Sequence, residues 1–182
     1  MRQEGIGVLE EWFRWAEEWS MLLHIYGGIN ENSNVLEIGC GLGRTAFPLR
    51  YILSTEGSYD GFDICANKIE FLEKNFHRIY PNFRFMWADV KNTFYNPLGE
   101  ISPSSYRFPY AHDSFDLVYA SSVFTHTLPE VTANYFKEAA RVLKLNGRCL
   151  FSFFLLDNYQ PRQPRPLGFA RSTFNFNHQY VG

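Results

Sequence analysis

Short apolar runs alternate with helical patterns along most of this 182-residue chain. The predicted helices cover residues 44–54, 65–80 and 129–143, and the predicted strands are NVLEI, SYDGFD, FRFMWA, FDLVYA and RCLFSFFLL. Strands too apolar to leave one face in water are typical of a parallel sheet that helices cover on both faces. The sequence therefore predicts an α/β fold with a doubly wound, mainly parallel sheet.

The length of the chain favours a single domain, which we divide into three parts. Residues 1–30 form a leading helical segment that ends at Gly27 and Gly28, residues 33–157 form the core, and residues 158–182 form an irregular tail. The leading helix carries an apolar stripe that favours packing on the core, although the same stripe could cover a ligand. The stripe consists of Leu9, Trp12, Phe13, Ala16, Trp19, Leu23 and Tyr26.

Charge and composition argue against several classes of function. The formal net charge is −2, from 17 basic and 19 acidic residues, so we expect no nucleic-acid substrate. No run approaches the roughly 20 apolar residues of a membrane span, and the N-terminus lacks the apolar region of a signal peptide. Cys40, Cys65 and Cys149 show no metal or disulfide spacing, and neither do the five histidines. We expect a cytoplasmic protein without a metal ion.

A glycine-rich loop, VLEIGCGLGRTA, follows the first predicted strand. Glycine at positions 39, 41 and 43 permits positive φ and lets a ligand approach the backbone. The third glycine comes one residue earlier than in the dinucleotide-binding fingerprint, and a simple tight turn is the alternative. Pro48 lies inside the next predicted helix, so that helix is expected to begin after Arg44.

Acidic residues end the next two predicted strands. Asp63 lies 20 residues beyond Gly43, where a carboxylate can accept both hydroxyl protons of a ribose. Asp89 and Val90 end the third strand, where a carboxylate and an amide could recognise the amine and a ring nitrogen of adenine. The alternatives are a helix N-cap for Asp63 and loop capping for Asp89.

Five segments stand in order at the predicted strand ends: VLEIGCGLGR, GFDI, WADV, FDLVYASSVFTHTLPE and ARVLKLNGRCLFSFFLLD. Together they resemble the class I S-adenosylmethionine-dependent methyltransferases over about residues 33–157. The likeness is greatest to the small-molecule branch that carries SVFTH after strand four. The resemblance implies a Rossmann-like methyltransferase fold, a cofactor-binding core, S-adenosyl-L-methionine as cofactor and S-adenosyl-L-homocysteine as product.

The resemblance also assigns roles to residues of this chain. Glu37 would hold the methionine amino group through water, the glycine loop would wrap methionine and ribose, and Asp63 would bind the ribose. Ile64 would lie against adenine, Asp89 and the Val90 amide would contact its edge, and the backbone after strand four would contact methionine. The implied cofactor-binding residues are Glu37, Gly39, Cys40, Gly41, Gly43, Asp63, Ile64, Asp89, Val90, Ala120 and Ser121.

The implied reaction is an in-line displacement at the sulfonium methyl group by a small-molecule acceptor, most readily the hydroxyl of a sugar or similar molecule. His126 follows the end of strand four by six residues and is the candidate general base. The alternatives are that His126 caps the helix near Pro129 or shapes the pocket. The long loop 91–113 would close over the acceptor with Phe94, Tyr95, Tyr106, Phe108 and Tyr110.

The chain departs from the family at its C-terminal end. The family sheet has seven strands, yet only 26 residues follow Leu156, so we expect a truncated domain without the last two edge strands. The exposed fifth strand would then favour a homodimer through that edge. Two alternative functions remain: a non-catalytic module that binds S-adenosylmethionine, and an NAD-dependent dehydrogenase, which the glycine spacing and Asp89 with Val90 disfavour.

Overall fold

The computed structural model of the chain describes residues 2–153, 173–175 and 179–181. The helices are α1 (Arg2–Ile25), α2 (Ala46–Leu49), α3 (Ala66–Leu72) and α4 (Pro129–Val142), with a π-helical turn at Glu73–His77 and 3₁₀ turns at Pro103–Ser105 and Phe124–His126. The strands are β1 (Asn34–Ile38), β2 (Ser58–Asp63), β3 (Phe83–Trp87), β4 (Phe115–Ala120), β5 (Leu143–Phe151), β6 (Thr173–Asn175) and β7 (Gln179–Val181).

The first five strands form one parallel sheet in the order β3-β2-β1-β4-β5. The chain runs outward from β1 to β3 and then crosses back to β4, so the strand order reverses between β1 and β4. Glu37 in β1 lies beside Gly61 of β2 and beside Tyr119 of β4. The predicted doubly wound α/β fold is confirmed.

Two apolar clusters cover the two faces of the sheet. Side chains of α1, α2 and α3 pack with Val35 on one face, and side chains of α4 and the segment 106–108 pack with Leu36 and Ile38 on the other. Adjacent residues of β1 thus point to opposite faces, and both faces are buried. Burial of each such side chain contributes about 1.5–3 kcal/mol to folding.

The predicted elements differ from the observed ones at their ends. The second helix begins at Ala46, which places Pro48 in the first turn, as predicted. The third helix becomes a π-helical turn after Leu72 rather than continuing to residue 80. Strand β5 begins at Leu143, five residues before the predicted start, because a register shift opposite β4 accommodates a positive φ at Asn146.

The tail contains regular structure where we expected none. Strands β6 and β7 form an antiparallel pair separate from the five-stranded sheet. Both strands contain residue types that favour β structure. The prolines earlier in the tail had indicated an irregular segment instead. Among the described residues, no strand joins β5 on its outer edge. The other residues of the expected tail lie outside the described ranges, and the three-part division of the chain stays a prediction.

The described helices lack the properties of a membrane span. In the described ranges, no helix combines the length and the apolar character that crossing a membrane requires. α1, with 24 residues, is the longest of them, and it carries several glutamates. Ala16, Trp19 and Leu23 of α1 are buried, and the last two belong to the core cluster that contains Val35.

Candidate active site

A cavity of about 570 Å³ lies at the carboxyl ends of β1, β2 and β4. This is where the strand order reverses, and parallel sheets bind ligands at such a point. The volume lies within the range of small-molecule pockets. The cavity is lined by Gly39 and Gly41 of the glycine loop, by Asp63, Ile64 and Lys68 after β2, by the segment 90–95, and by Ser121, Val123, His126, Leu128 and Tyr135 after β4.

The backbone conformation and close packing of the glycine loop account for its three glycines. Gly39, Gly41 and Gly43 have φ values of 72°, 57° and 74°, which side-chain-bearing residues rarely adopt. A Cβ at Gly39 would lie 2.5 Å from Val123 Cγ2, and one at Gly43 would lie 2.8 Å from Leu72 Cδ2. A Cβ at Gly41 would meet nothing within 4 Å. Gly39 and Gly43 therefore allow close packing, whereas Gly41 presents its backbone to the cavity.

Asp63 is a buried carboxylate that two backbone amides hold in place. Its Oδ2 accepts a hydrogen bond from the Gly41 amide and its Oδ1 accepts one from the Cys65 amide, both at 2.8 Å. Each oxygen retains capacity for a further donor, such as a ribose hydroxyl. The N-cap of α3 is Cys65, so Asp63 orients the turn before the helix rather than capping it.

Glu37 lies below the glycine loop and is not among the residues that line the cavity. Its carboxylate is 3% exposed and accepts hydrogen bonds from the hydroxyls of Thr45 (2.5 Å), Tyr59 and Tyr119 (2.8 Å). Burial raises the pKa of Glu37, although the three hydroxyls and the charge of Arg44 oppose that rise. Sequence analysis singled out Glu37 but missed all three of its partners.

The proposed adenine contacts are only partly assembled. Ile64 and Val90 line the cavity, but Asp89 does not. Asp89 Oδ1 accepts a hydrogen bond from Asn96 Nδ2 at 3.3 Å, and the Val90 amide donates to the Ala88 carbonyl at 2.7 Å. The hydrogen bond from Asn96 is consistent with loop capping by Asp89. Adenine recognition by Asp89 and Val90 stays a prediction.

The end of β4 brings a polar atom to the cavity. Ala120 is fully buried in the sheet, whereas Ser121 lines the cavity. Ser121 Oγ is buried and has no hydrogen-bond partner among the described residues. Buried hydroxyls nearly always have a partner, which makes Ser121 an exception among the described residues. Cys40 and Gly43 lie outside the lining, and burial raises the pKa of the Cys40 thiol well above its ordinary value.

His126 lines the cavity from the 3₁₀ turn that precedes α4. The N-cap of α4 is Leu128, and no side chain caps it. The N-cap position is thus occupied by Leu128 rather than by His126. The position of His126 is compatible with a general base and equally with a residue that shapes the pocket.

The loop 91–113 divides into two functional parts. Phe94 and Tyr95 line the cavity and are 78% and 55% exposed, and the Asn92 side chain accepts hydrogen bonds from both of their amides. Tyr106 and Phe108 instead pack in the core. The prediction that all five aromatic residues close over an acceptor is wrong for these two, because they fill the space between the sheet and α4. It is also wrong for Tyr110, which packs against Phe115 and lines a different cavity.

Two lysines that the sequence analysis missed also line the cavity. Lys68 lies in α3, and its Nζ is 5.8 Å from the centre of the Tyr95 ring. Lys91 follows Val90 directly. Their closeness in sequence to Asp63 and Val90 was the available signal. Within the described ranges, no group of three His, Cys, Asp or Glu side chains is placed to hold a metal ion.

A second cavity of about 540 Å³ lies at the amino ends of the strands. It is lined by polar residues that already have partners, such as Asp60, whose carboxylate pairs with the Arg84 guanidinium at 2.5 Å. Asn82 likewise donates to the carbonyls of Ser54 and Gly57. The first cavity is the better ligand site because it combines an open backbone surface with an unpartnered buried hydroxyl.

Comparison with known proteins assigns the family. A family model described as a methyltransferase domain matches residues 35–147. The chain belongs to this methyltransferase domain family. The match spans the glycine loop and β1 to β4, which are the elements that build the larger cavity. Membership disfavours the dehydrogenase alternative.

Solved structures share the fold of this methyltransferase domain. The YcgJ protein from Bacillus subtilis has 23% identity and a TM-score of 0.55 over 74% of this chain and 50% of that one. A SAM-dependent methyltransferase from Aquifex aeolicus has 16% identity and a TM-score of 0.52 over 69% and 58%. The [4+2]-cyclase SpnF has 17% identity and a TM-score of 0.54 over 73% and 43%. The chain thus spans about half the length of these structures.

The family implies S-adenosyl-L-methionine as cofactor, and the residues present fit it. Gly41 offers open backbone, Asp63 offers two fixed carboxylate oxygens, and Ser121 offers an unpartnered buried hydroxyl in the same cavity. Ile64 and Val90 add an apolar wall. A nucleoside with a polar amino-acid tail requires this combination of donors, acceptors and apolar surface.

Proposed function

We propose that the domain binds S-adenosyl-L-methionine in the larger cavity and transfers its methyl group to a small-molecule acceptor, most readily a hydroxyl. The observation that carries the proposal is Asp63, which two amides fix at the carboxyl end of β2 beside the open backbone of Gly41. A carboxylate fixed there can bind the two ribose hydroxyls without further ordering. Family membership supports the same reading.

Several residues of the chain would hold the cofactor. Asp63 would bind the ribose, Ile64 and Val90 would contact adenine, and Ser121 would meet the methionine end. The cofactor supplies a methyl group on a positively charged sulfur, with the neutral thioether of S-adenosyl-L-homocysteine as leaving group. The protein contributes mainly by positioning, which can lower such a barrier by about 7–11 kcal/mol at the extreme.

His126 is the proposed general base for a hydroxyl acceptor. Its side chain lines the cavity that Phe94, Tyr95 and Leu128 border, so an acceptor held between these residues would lie beside the imidazole. The ring would accept the hydroxyl proton as the oxygen attacks. The exposed rings of Phe94 and Tyr95 would exclude water from the acceptor by covering it.

One observation keeps a non-catalytic module as the second candidate. The [4+2]-cyclase SpnF shares the fold, and a shared fold does not fix a reaction. A module of this kind would bind the cofactor at Asp63 and release no S-adenosyl-L-homocysteine with any acceptor.

Calorimetric titration with S-adenosyl-L-methionine, S-adenosyl-L-homocysteine and NAD tests the cofactor site. We expect binding of the first two in the micromolar range, no binding of NAD, and a loss of at least about 100-fold in Asp63→Ala. The matched control is Asp116→Ala, because Asp116 also accepts from a backbone amide, that of Asn34 at 2.8 Å, but at the opposite end of the sheet. Equal binding by Asp63→Ala and wild type would overturn the proposal.

A methyl-transfer screen then separates the enzyme from the non-catalytic module. Release of S-adenosyl-L-homocysteine with a hydroxyl acceptor would support the enzyme. A reduced release in His126→Ala, with cofactor binding unchanged, would support His126 as its general base. Binding without release over a broad set of hydroxyl, amine and carboxylate acceptors would favour the module.

Three further expectations from the sequence stay predictions. The outer edge of β5 favours a homodimer, for which a clean monomer in light scattering at high concentration would be the contrary result. The cytoplasmic location and the absence of a nucleic-acid substrate rest on composition and net charge. If nucleic acid is not a substrate, the protein should bind neither duplex DNA nor single-stranded RNA at any salt concentration.

A further inference from the structure

The hydrogen bonds of Glu37 all go to one of its two oxygens. The hydroxyls of Thr45, Tyr59 and Tyr119 donate to Oε2, and Tyr119 also lies 2.9 Å from Thr45 Oγ1. Within residues 2–153, Oε1 accepts no hydrogen bond. Three donors on one oxygen fix the plane of the carboxylate, and the second oxygen remains available to a donor outside the protein.

Gly61 makes this arrangement possible. It lies beside Glu37 on β2, and its φ is not in the left-handed region, so its backbone does not require glycine. A Cβ at Gly61 would lie 2.8 Å from the Tyr59 hydroxyl oxygen, 3.0 Å from Tyr59 Cε1 and 2.8 Å from Cys40 Cβ. The missing side chain therefore leaves the space through which the Tyr59 ring reaches Glu37.

Among the residues that the structure describes, Glu37 has no ionic partner. The titratable groups that face it are Tyr59 from β2, Tyr119 from β4, and Cys40 and Arg44 from the glycine loop. Burial raises the pKa of both phenols well above the ordinary value, so they remain neutral donors. Arg44 forms no salt bridge with Glu37, and its guanidinium lies 5.9 Å from the centre of the Trp15 ring.

We infer that Tyr59, Tyr119 and Thr45 are positioning residues that hold the Glu37 carboxylate so that Oε1 binds the amino group of the cofactor through water. The inference rests on the proposed function and makes cofactor affinity depend on the ionisation of Glu37. Hydroxyl donors stabilise the carboxylate over the carboxylic acid. Removal of one donor therefore favours the acid form, which cannot pair with an ammonium group.

Carboxyl ¹³C titration of the cofactor-free protein tests the first half of the inference. The Glu37 resonance is assigned by its loss in Glu37→Gln, and we expect it to titrate at higher pH in Tyr59→Phe and Tyr119→Phe than in wild type. Tyr106→Phe is the matched control, because Tyr106 is also buried but belongs to the other core cluster. An unchanged titration in both phenol variants would overturn the inference.

Calorimetry with S-adenosyl-L-homocysteine across pH tests the second half. The acid limb is the pH range in which affinity falls as Glu37 is protonated, and we expect it to move to higher pH in Tyr59→Phe and Tyr119→Phe. Between the limb of wild type and that of a variant, the variant should bind about ten-fold more weakly. At a pH well above both limbs, wild type and variants should bind nearly equally. Tyr106→Phe should follow wild type. A purely structural effect would lower affinity at all pH values without moving the limb, and that result would overturn the inference.

Two variants of Thr45 test the inference independently if the Tyr59→Phe and Tyr119→Phe variants do not fold. Thr45→Val removes the hydroxyl and should move the acid limb upward, whereas Thr45→Ser keeps the hydroxyl and should restore it. Failure of folded wild-type protein to bind at any pH would refute the proposed function together with this inference. Binding whose acid limb is the same in Thr45→Val and Thr45→Ser would refute the inference alone.

Discussion

Two buried glutamates of this domain are held in opposite ways. Glu138 in α4 pairs with the Arg141 guanidinium at 2.6 Å and also accepts from the Phe108 amide at 2.9 Å. Burial alone would raise the pKa of Glu138, but these hydrogen bonds and the Arg141 charge outweigh it, so the pKa is lowered. In the described part of the chain, the donors to Glu37 are all neutral hydroxyls, and burial raises its pKa.

The contrast separates a structural carboxylate from a candidate binding one. Arg141 also donates to the carbonyls of Phe108 and Tyr110, so the pair ties the loop before β4 to α4. The charge of Glu138 is thereby neutralised within the protein. Glu37 pairs with no cation among the described residues, which is the arrangement that its proposed role toward the ammonium group of the cofactor requires.

The largest expected effect concerns the structural pair. Arg141→Met should lower the free energy of unfolding by about 3–5 kcal/mol, because it leaves Glu138 buried without its cation. Urea denaturation measures this loss. The double variant Glu138→Gln with Arg141→Met should recover part of it, and Lys74→Met, at an exposed ion pair with Glu70, should leave stability unchanged within error. An equal and small loss in all three would contradict the contrast.

An intermediate effect is expected at Gly61. Gly61→Ala should lower the free energy of unfolding by about 1–3 kcal/mol, because the added methyl group overlaps Tyr59 and Cys40. It should also weaken binding of S-adenosyl-L-homocysteine, since Tyr59 must leave Glu37. The penalty should be smaller in a Tyr59→Phe background, where one of the overlapping atoms is absent, and an equal penalty would contradict this explanation.

The smallest expected effect is a difference in pH dependence. The raised pKa of Glu37 means that its contribution to cofactor-free stability is present below the ordinary glutamate pKa and is lost as pH rises through the folded-state pKa. The lowered pKa of Glu138 means that its contribution is present above the ordinary value and is lost as pH falls.

Thermal unfolding of Glu37→Gln and wild type across pH measures this difference. The Tm of the variant relative to wild type should rise by roughly 2–4 °C as pH increases from about 4 to about 8. Glu138→Gln should show its relative loss of Tm above the ordinary glutamate pKa and lose that difference in acid. Parallel curves for both variants would remove the distinction between the two carboxylates.

Local pattern sufficed for much of the fold. The alternation of apolar runs and helical spacing predicted all five strands of the main sheet, and Pro48 located the start of α2. The local pattern gave the wrong start for β5, because the residues around Asn146 resemble a turn but belong to a strand with a register shift. A register shift depends on the neighbouring strand, which a local pattern does not contain.

The site divides in the same way. Gly39, Gly41, Asp63, Ile64, Val90, Ser121 and His126 follow strand ends in the sequence, and all of them line one cavity. Asp89 was found by the same rule, yet its side chain accepts a hydrogen bond from Asn96 and does not line the cavity; Glu37, which the resemblance implied, does not line it either. Position after a strand predicts nearness to the sheet edge, but the direction of a side chain depends on what packs around it.

The sequence by itself determined the order of the elements and the glycine loop, because both depend on neighbours a few residues apart. Only the tertiary structure decided what surrounds Glu37. Tyr59 lies 22 residues away and Tyr119 lies 82 residues away, and each reaches Glu37 from an adjacent strand. In a parallel sheet, adjacency is set by crossovers and strand order rather than by separation along the chain, so no local pattern could have joined these three residues.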